Sequence, residues 1–185
     1  MLKLCLLFIS LFTLSGCATQ PKSVILNPVY TSGKISNINS VLQAKVVDHR
    51  TTNFTIKVLN QEPAVYLPDA SLPVKIQNAF LDALTSNGAK VLPTSRHTIT
   101  LQINAFHSKI TESLTQHESN AVADWLVIAA ANGNTFEKRY TGQSQITGPL
   151  KHEQAKVESQ LNSLTKKMLT RIVSDQALIN FLQGQ

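Results

Sequence analysis

Residues 121–135 read Ala-Val-Ala-Asp-Trp-Leu-Val-Ile-Ala-Ala-Ala-Asn-Gly-Asn-Thr, and this stretch decides the predicted fold. After Asp124 every residue as far as Ala131 is apolar, which is typical of a central strand covered on both sides, or of a strand that uses one face for contact. Asn132-Gly133-Asn134 is the strongest turn signal in the chain, because Asn and Gly tolerate the positive φ angles of tight hairpin turns. The stretch therefore predicts a β-hairpin.

The second arm of this hairpin is predicted over residues 135–146. One face carries Phe136, Tyr140 and Ile146, and the other face is polar, with Glu137, Arg139, Thr141, Gln143 and Gln145. Polar and aromatic side chains near the hairpin suggest a tentative contact surface that comprises Trp125, Arg139, Tyr140, Thr141 and Gln143.

Outward from the hairpin, alternating apolar and polar residues predict strands at 54–59 and 98–109. A further strand is predicted at 41–47, and short strands at 24–26 and 91–92. Residues 111–120 are polar and predict a loop or a loose strand extension. Apolar residues recur at helical spacing over 72–86 and 152–173.

A short final helix is predicted after Ser174, which we expect to cap it. The order of these elements predicts an α+β domain. We expect a mostly antiparallel sheet of about five strands, with the two longer helices packed on one face.

The amino terminus has the pattern of a secretory signal, because Lys3 precedes an apolar run over residues 4–14. That run is too short to span a membrane, which takes about 20 apolar residues. It leads into Leu14-Ser15-Gly16-Cys17, which resembles the lipobox of bacterial lipoproteins. The resemblance implies cleavage between Gly16 and Cys17, and attachment of diacylglyceryl and N-acyl chains to Cys17.

The residue after the cysteine bears on sorting. In Gram-negative lipoproteins an Asp there favours the inner membrane, whereas this chain has Ala18. The resemblance therefore implies an outer-membrane protein that faces the periplasm. We predict a removed signal peptide over 1–16, a lipidated N-terminus and tether over 17–40, and a single periplasmic domain over 41–185.

Removal of the signal would take away Lys3 and lower the formal net charge from +6 to +5. It would also leave Cys17 as the only cysteine, so we expect a domain without disulfides. The moderate, dispersed charge does not suggest nucleic acid as a partner.

A search for catalytic patterns yields no set of residues that would support an enzyme. The chain has neither a Gly-x-Ser-x-Gly sequence nor a phosphate-binding glycine loop. Glu112 and Glu118 are not marked as an acid–base pair, and we expect them to serve solubility. No metal-ligand spacing relates the five histidines, which are His49, His97, His107, His117 and His152. We therefore predict no enzyme, no cofactor and no metal.

Two smaller features allow alternative interpretations. Asp48 and Arg50 could bind an anionic ligand or another loop, or Asp48 could organise a turn with Arg50 as its partner. Trp125, the single tryptophan, could be a core residue, a partner anchor or a platform for a sugar.

The chain as a whole resembles the YajG-like lipoproteins of Gram-negative bacteria. Besides the lipobox, the segments that carry the resemblance are Asp48-His49-Arg50-Thr51, Ile128 to Asn134, Lys138-Arg139-Tyr140, Ser174-Asp175 and Phe181-Leu182. The resemblance implies location and fold more than activity.

Our leading hypothesis is a non-catalytic binding or accessory domain that serves an envelope complex and is held on the membrane by the lipid on Cys17. The alternative is a binder of a small ligand or a cell-wall glycan, with its pocket near Trp125. A hydrolase is a third hypothesis, and it would need a His and a carboxylate within about 3 Å of each other in a cleft.

Overall fold

Three long strands form the centre of the fold. The structure, a computed structural model, describes residues 23–52, 54–60, 64–68 and 72–184. The predicted signal peptide and Cys17 lie outside the described residues. The described strands are β1 (Ser23–Val24), β2 (Val41–Asp48), β3 (Ile56–Val58), β4 (Val65–Pro68), β5 (Lys90–Val91), β6 (Thr98–Glu112), β7 (Gln116–Ala131) and β8 (Asn134–Pro149). The described helices are α1 (Leu72–Ser86), α2 (Gln154–Val173) and α3 (Gln176–Leu182).

The predicted hairpin is confirmed as β7 and β8. Ala131 pairs with Asn134, and the two residues between them turn with positive φ angles of 52° at Asn132 and 79° at Gly133. Of the two alternatives predicted for residues 111–120, a loop or a strand extension, the structure has the strand extension apart from residues 113–115, since β6 runs to Glu112 and Gln116 of β7 pairs with Pro149. Each arm of the hairpin is consequently 16 residues long.

The prediction of a mostly antiparallel sheet of about five strands is wrong. In the described residues the sheet has eight strands and is mixed, and four of its seven pairings are parallel. The parallel pairings are β1–β4, β2–β5, β2–β6 and β3–β6. The physical reason is that α1 lies between β2 and β6 in the chain, and a helical crossover returns the chain to the sheet in the same direction.

Both long helices cover one face of the sheet, as the sequence predicted. Their apolar stripes include Ile76, Phe80 and Leu84 of α1 and Val157, Leu161, Leu164 and Met168 of α2, all buried. We call this covered face the inner face and the opposite one the outer face. The odd-numbered residues of β7 from Ala121 to Ala129 point inward and are buried in the core.

The short final helix, α3, is also present, but its cap differs from the prediction. Asp175 rather than Ser174 caps it, because the Asp175 carboxylate accepts a hydrogen bond of 3.0 Å from the backbone N–H of Ala177. Ser174 instead ends α2.

Residues 23–40 were expected to belong to a tether, but they pack onto the domain. The buried side chain of Asn87 holds this segment, because its Oδ1 accepts 2.8 Å hydrogen bonds from the backbone N–H groups of Ile35 and Ser36. The apolar residues of the segment that enter the core are Val24, Leu26, Tyr30 and Ile38. The folded domain therefore begins well before residue 41.

Among the described residues, none of the helices has both the length and the hydropathy required to cross a bilayer.

Candidate functional site

The outer face of the sheet carries a row of apolar side chains along β7. Val122, Leu126 and Ile128 are half-buried, and they alternate with residues that are fully buried on the inner face. Cross-strand neighbours fall on the same face, so Leu126 lies beside Arg139 of β8 and Gln102 of β6. An apolar row bordered by long polar side chains is typical of a surface that contacts another protein. We call Val122, Leu126 and Ile128 the apolar row.

The tentative contact surface predicted from the sequence divides between the two faces. Trp125 is 0% exposed and Tyr140 is 3% exposed, and both belong to the core on the inner face. Arg139, Thr141 and Gln143 are exposed on the outer face. Successive residues of a strand point to opposite sides, so the five residues cannot form one surface. The prediction is therefore corrected to the outer-face group alone.

Burial of Trp125 also weakens the hypothesis of a pocket for a sugar or another small ligand. Its ring packs 6.1 Å from that of Phe106, centroid to centroid, and its indole Nε1 has no hydrogen-bond partner. With no exposed surface, the indole offers no platform on which a ligand could stack. Of the three roles that the sequence left open for Trp125, the structure supports that of a core residue.

An ion pair interrupts the apolar row, because Asp124 lies between Val122 and Leu126 on the same face of β7. Arg139 of β8 donates through Nε to Asp124 Oδ1 at 2.6 Å, and its second donor reaches Oδ2, so the contact is bidentate. The hydrogen bonds from Arg139 outweigh burial and hold the pKa of Asp124 below its usual range. The two charges neutralise each other beside Leu126, which keeps the centre of the outer face close to neutral.

His107 adds a neutral ring to the same face, beside Val122. Burial, together with the positive charges of Lys109 and Arg50, lowers the pKa of His107. Its ring packs edge-on against Phe54 at 5.4 Å, and its Nδ1 has no hydrogen-bond partner.

A second cluster brings a histidine and a carboxylate together. Glu112 Oε1 accepts hydrogen bonds from His152 Nδ1 at 2.6 Å and from the His152 backbone N–H at 2.9 Å. The other ring nitrogen, Nε2, lies 3.2 Å from the hydroxyl of Tyr66. Burial would raise the pKa of Glu112, but the hydrogen bonds from His152 outweigh it and lower that pKa.

His152 and Glu112 are as close as the hydrolase hypothesis required, but they do not lie in a cleft that a substrate could enter. Glu112 is 5% exposed and Tyr66 is 3% exposed, and both nitrogens of the His152 ring already have partners. The cluster fastens the segment before α2 to the end of β6. Glu112 is consequently a structural residue, and its predicted role in solubility is wrong.

Asp48 and Arg50 also form a structural pair. The Arg50 guanidinium donates to Asp48 Oδ1 at 2.9 Å and to Oδ2 at 2.8 Å, and it reaches the carbonyl of Phe106 at 3.3 Å. Only 5% of the Arg50 side chain is exposed. Of the two interpretations of this motif, the geometry favours the one in which Asp48 organises the turn with Arg50 as its partner. The guanidinium donors are occupied by these contacts.

The described residues contain no group of three or more His, Cys, Asp or Glu side chains that could hold a metal ion.

The sequence predicted that one face of the 121–131 strand could serve for contact, but it did not name the residues of the apolar row, although a signal for them was present. Asp124 is charged, so it marks the face of β7 that meets water. Residues at even spacing from Asp124, including Val122, Leu126 and Ile128, must share that face.

Fold and site together define a class, the domains whose mixed β-sheet has one helix-covered face and one open face. A family model described as an uncharacterized lipoprotein matches residues 28–183, and the chain belongs to this family, which is YajG-like. The uncharacterized lipoprotein YajG from Escherichia coli K12 is 21% identical over 95% of this chain and 93% of its own length. The same values hold for YajG from Escherichia coli O6:H1. The family assignment predicted from the sequence is thus confirmed, and as a lipoprotein the chain is attached to a membrane through a lipid anchor.

Two solved structures share the fold. Protein XCC0632 from Xanthomonas campestris aligns with a TM-score of 0.53 and 14% identity, over 88% of this chain and 95% of its own. The crystal structure of an uncharacterized protein aligns with a TM-score of 0.55 and 14% identity, over 83% and 97% of the two chains. At these identities the likeness concerns the fold alone.

Proposed function

We propose that this lipoprotein is an accessory subunit of an envelope complex, and that it binds a protein partner, without catalysis, through the outer face of its sheet. The observation that carries the proposal is the apolar row of Val122, Leu126 and Ile128, which no described helix covers. Its borders supply the hydrogen-bonding side chains typical of the rim of an interface, including Arg139, Thr141 and Gln143.

The proposal includes the position of the domain in the cell. Cys17 carries the lipid, and Ala18 directs the mature protein to the outer membrane, where the domain faces the periplasm. The described domain starts at Ser23, and the chain from Cys17 to Ser23 can span at most about 20 Å. A domain held this close to the membrane meets a membrane-bound partner at high effective concentration, so a modest interface suffices.

The chemistry of the outer face favours a protein over a charged polymer. The bidentate ion pair between Asp124 and Arg139 on this face carries no net charge. Protein interfaces are typically depleted of unpaired charge at the centre and polar at the rim, and the outer face has this arrangement.

Photo-crosslinking in intact cells tests the proposal. A photoreactive amino acid replaces Glu137, which is exposed on the outer face beside Ile128. The matched control places the same group at Ala177, which is exposed on α3. We expect position 137 to yield a discrete adduct with a different envelope protein, identified by mass spectrometry, and position 177 to yield none. Recovery of lipid alone from position 137, or the same adducts from both positions, would contradict the proposal.

A further inference from the structure

β8 pairs with another strand along one edge only, and its other edge is long and pairs with no described strand. We call this second edge the free edge of β8. β8 pairs with β7 over all 16 of its residues, and among the described strands β7 is its only neighbour. Proteins usually protect such an edge with charges, prolines or a bulge, since its free N–H and C=O groups can pair with another chain. Residues 140–148 contain neither a charged residue nor a proline, and the register with β7 shows no bulge.

The hydrogen-bonding direction of each residue of β8 follows from the hairpin. Leu150 donates its N–H to Thr115 at 2.9 Å, one step beyond the pairing of Gln116 with Pro149. Because bonded positions alternate in an antiparallel pair, the even-numbered residues of β8 bond to β7 and the odd-numbered ones point to the free edge. The contact from Arg171 agrees, since it donates at 2.6 Å to the carbonyl of an odd-numbered residue, Thr141. This carbonyl has a second lone pair, which is available to the N–H of a strand partner.

The sequence of this edge is close to a palindrome. Residues 141–147 read Thr-Gly-Gln-Ser-Gln-Ile-Thr, and Ser144 is the centre. If two copies pair antiparallel about Ser144, Thr141 faces Thr147 and Gln143 faces Gln145 of the other copy. Gly142 faces Ile146, so the smallest residue stands opposite a large one. All the residues that exchange backbone bonds in this register are odd-numbered, as the free edge requires.

Helix α2, which lies beside β8, also leaves room for a second copy near Ser144. The Gln160 side chain of α2 binds the Ser144 carbonyl at 2.7 Å, which places this part of α2 next to the proposed centre. Ser159 and Ser163, exposed and one helical turn apart, line a groove together with Ser144 and Ile146. Small side chains at this spacing allow two elements to approach closely.

We propose that two copies of this lipoprotein form a symmetric dimer in which the β8 edges pair antiparallel about Ser144. The dimer joins the sheets of the two copies into one continuous sheet and leaves the outer face of each accessible. This inference goes beyond the proposed function and does not depend on the docking partner.

Charge substitutions test both the contact and its register, on the full lipidated chain purified in detergent micelles. In the double variant Gln143→Lys with Gln145→Lys, each Lys opposes a Lys of the other copy. In the variant Gln143→Lys with Gln145→Glu, each Lys opposes a Glu. We expect the first to weaken dimerisation roughly tenfold or more and the second to keep the dimer. The single variant Thr135→Lys is the control, because its partner position lies beyond the end of β8.

Native mass spectrometry over a range of concentrations reads out the dimer, and the thermal midpoint of each variant verifies that it folds. A dimer that persists in the Lys–Lys variant, or that is lost equally in the Lys–Glu variant, would overturn the proposed register. A wild-type chain that is monomeric at every concentration would overturn the dimer itself.

A disulfide provides an independent test in cells. In the proposed dimer, residue 144 of one copy lies opposite residue 144 of the other. Ser144→Cys should therefore form an intermolecular disulfide under periplasmic oxidation. Thr135→Cys should not, and the wild type is the baseline for the native cysteines. Equal crosslinking of the two variants, or none at position 144, would contradict the pairing. Gln143 belongs to the rim of the outer face, but native mass spectrometry is done on the purified chain without a docking partner, and neither test changes Val122, Leu126 or Ile128. Failure here therefore leaves the proposed function untouched, and the reverse also holds.

Discussion

Leu126 of β7 and Arg139 of β8 lie directly opposite each other, and both side chains lie on the outer face of the sheet. Leu126 is half-buried there, although no described helix packs over it, whereas Leu101 of β6 is fully buried on the inner face. Leu126 therefore belongs to the surface of the sheet, whereas Leu101 belongs to its core.

The two leucines give the first prediction. We expect Leu101→Ala to lower the free energy of unfolding by about 2–5 kcal/mol, because it leaves a cavity in the core. Leu126→Ala should cost no more than about 1 kcal/mol, since water already reaches part of this side chain. Urea denaturation measures both values. Equal losses would show that the outer face is part of the core.

The contact between Glu112 and His152 gives the second prediction. Glu112→Gln replaces a buried carboxylate that accepts two hydrogen bonds, and we expect it to lower the free energy of unfolding by about 1–3 kcal/mol. Glu118→Gln is the control, because Glu118 is half-exposed and bonds to its exposed neighbour Asn120. Denaturation at neutral pH compares the two variants. A control that loses as much as Glu112→Gln would contradict a specific role for the buried contact.

The pH dependence of the same contact is a third prediction. The pKa of Glu112 is lower in the folded chain than in the unfolded one, so its ionised form stabilises the fold. That contribution is complete above the unfolded value, about 4.3, and disappears as the pH falls through the folded pKa. The difference in unfolding free energy between the wild type and Glu112→Gln should therefore be constant near neutrality and shrink in acid. A difference that grows in acid would have the wrong sign.

Arg50 gives a fourth prediction, which separates the two interpretations of Asp48-His49-Arg50. As the buried partner of Asp48, Arg50 needs its planar guanidinium to bind both carboxylate oxygens, so Arg50→Lys should lower the thermal midpoint although the charge remains. An Arg kept only to bind an anion would be replaced by Lys without loss of stability. Lys45→Arg, an exchange at an exposed position of β2, is the control and should leave the midpoint unchanged.

The lipid anchor gives a fifth prediction. Cys17→Ser removes the thiol that would accept the lipid, so we expect the chain to leave the membrane fraction. Ala18→Asp should leave it lipidated but shift it from the outer to the inner membrane. Sucrose-gradient fractionation measures both. Outer-membrane recovery of Cys17→Ser would contradict lipidation at this residue.

The sequence predicted those features of the fold that depend on local patterns. The turn at Asn132-Gly133, the two long helices and the two faces of β8 all follow from short-range periodicity and turn chemistry. The direction of β2 relative to β6 does not, because it depends on how α1 crosses the sheet rather than on either strand.

The candidate site was less predictable, for the same reason. The choice of Trp125 and Tyr140 followed residue type, whereas alternation along the strand places both in the core. Glu112 and His152 are 40 residues apart in the chain, so their contact depends on the tertiary fold. Leu126 is two residues from Asp124, so the alternation of side chains along a strand would have placed it on the same open face.

The central claim is that the apolar row binds an envelope protein. Its most direct test is the yield of the adduct formed in cells from a photoreactive group at position 137, compared between the wild type, Leu126→Glu and the control Ala177→Glu. We expect Leu126→Glu to lower this yield tenfold or more, as for a buried charge without a partner in an interface, while the amount of protein in the membrane stays constant. The control should retain the wild-type yield. An unchanged yield in Leu126→Glu would contradict the account.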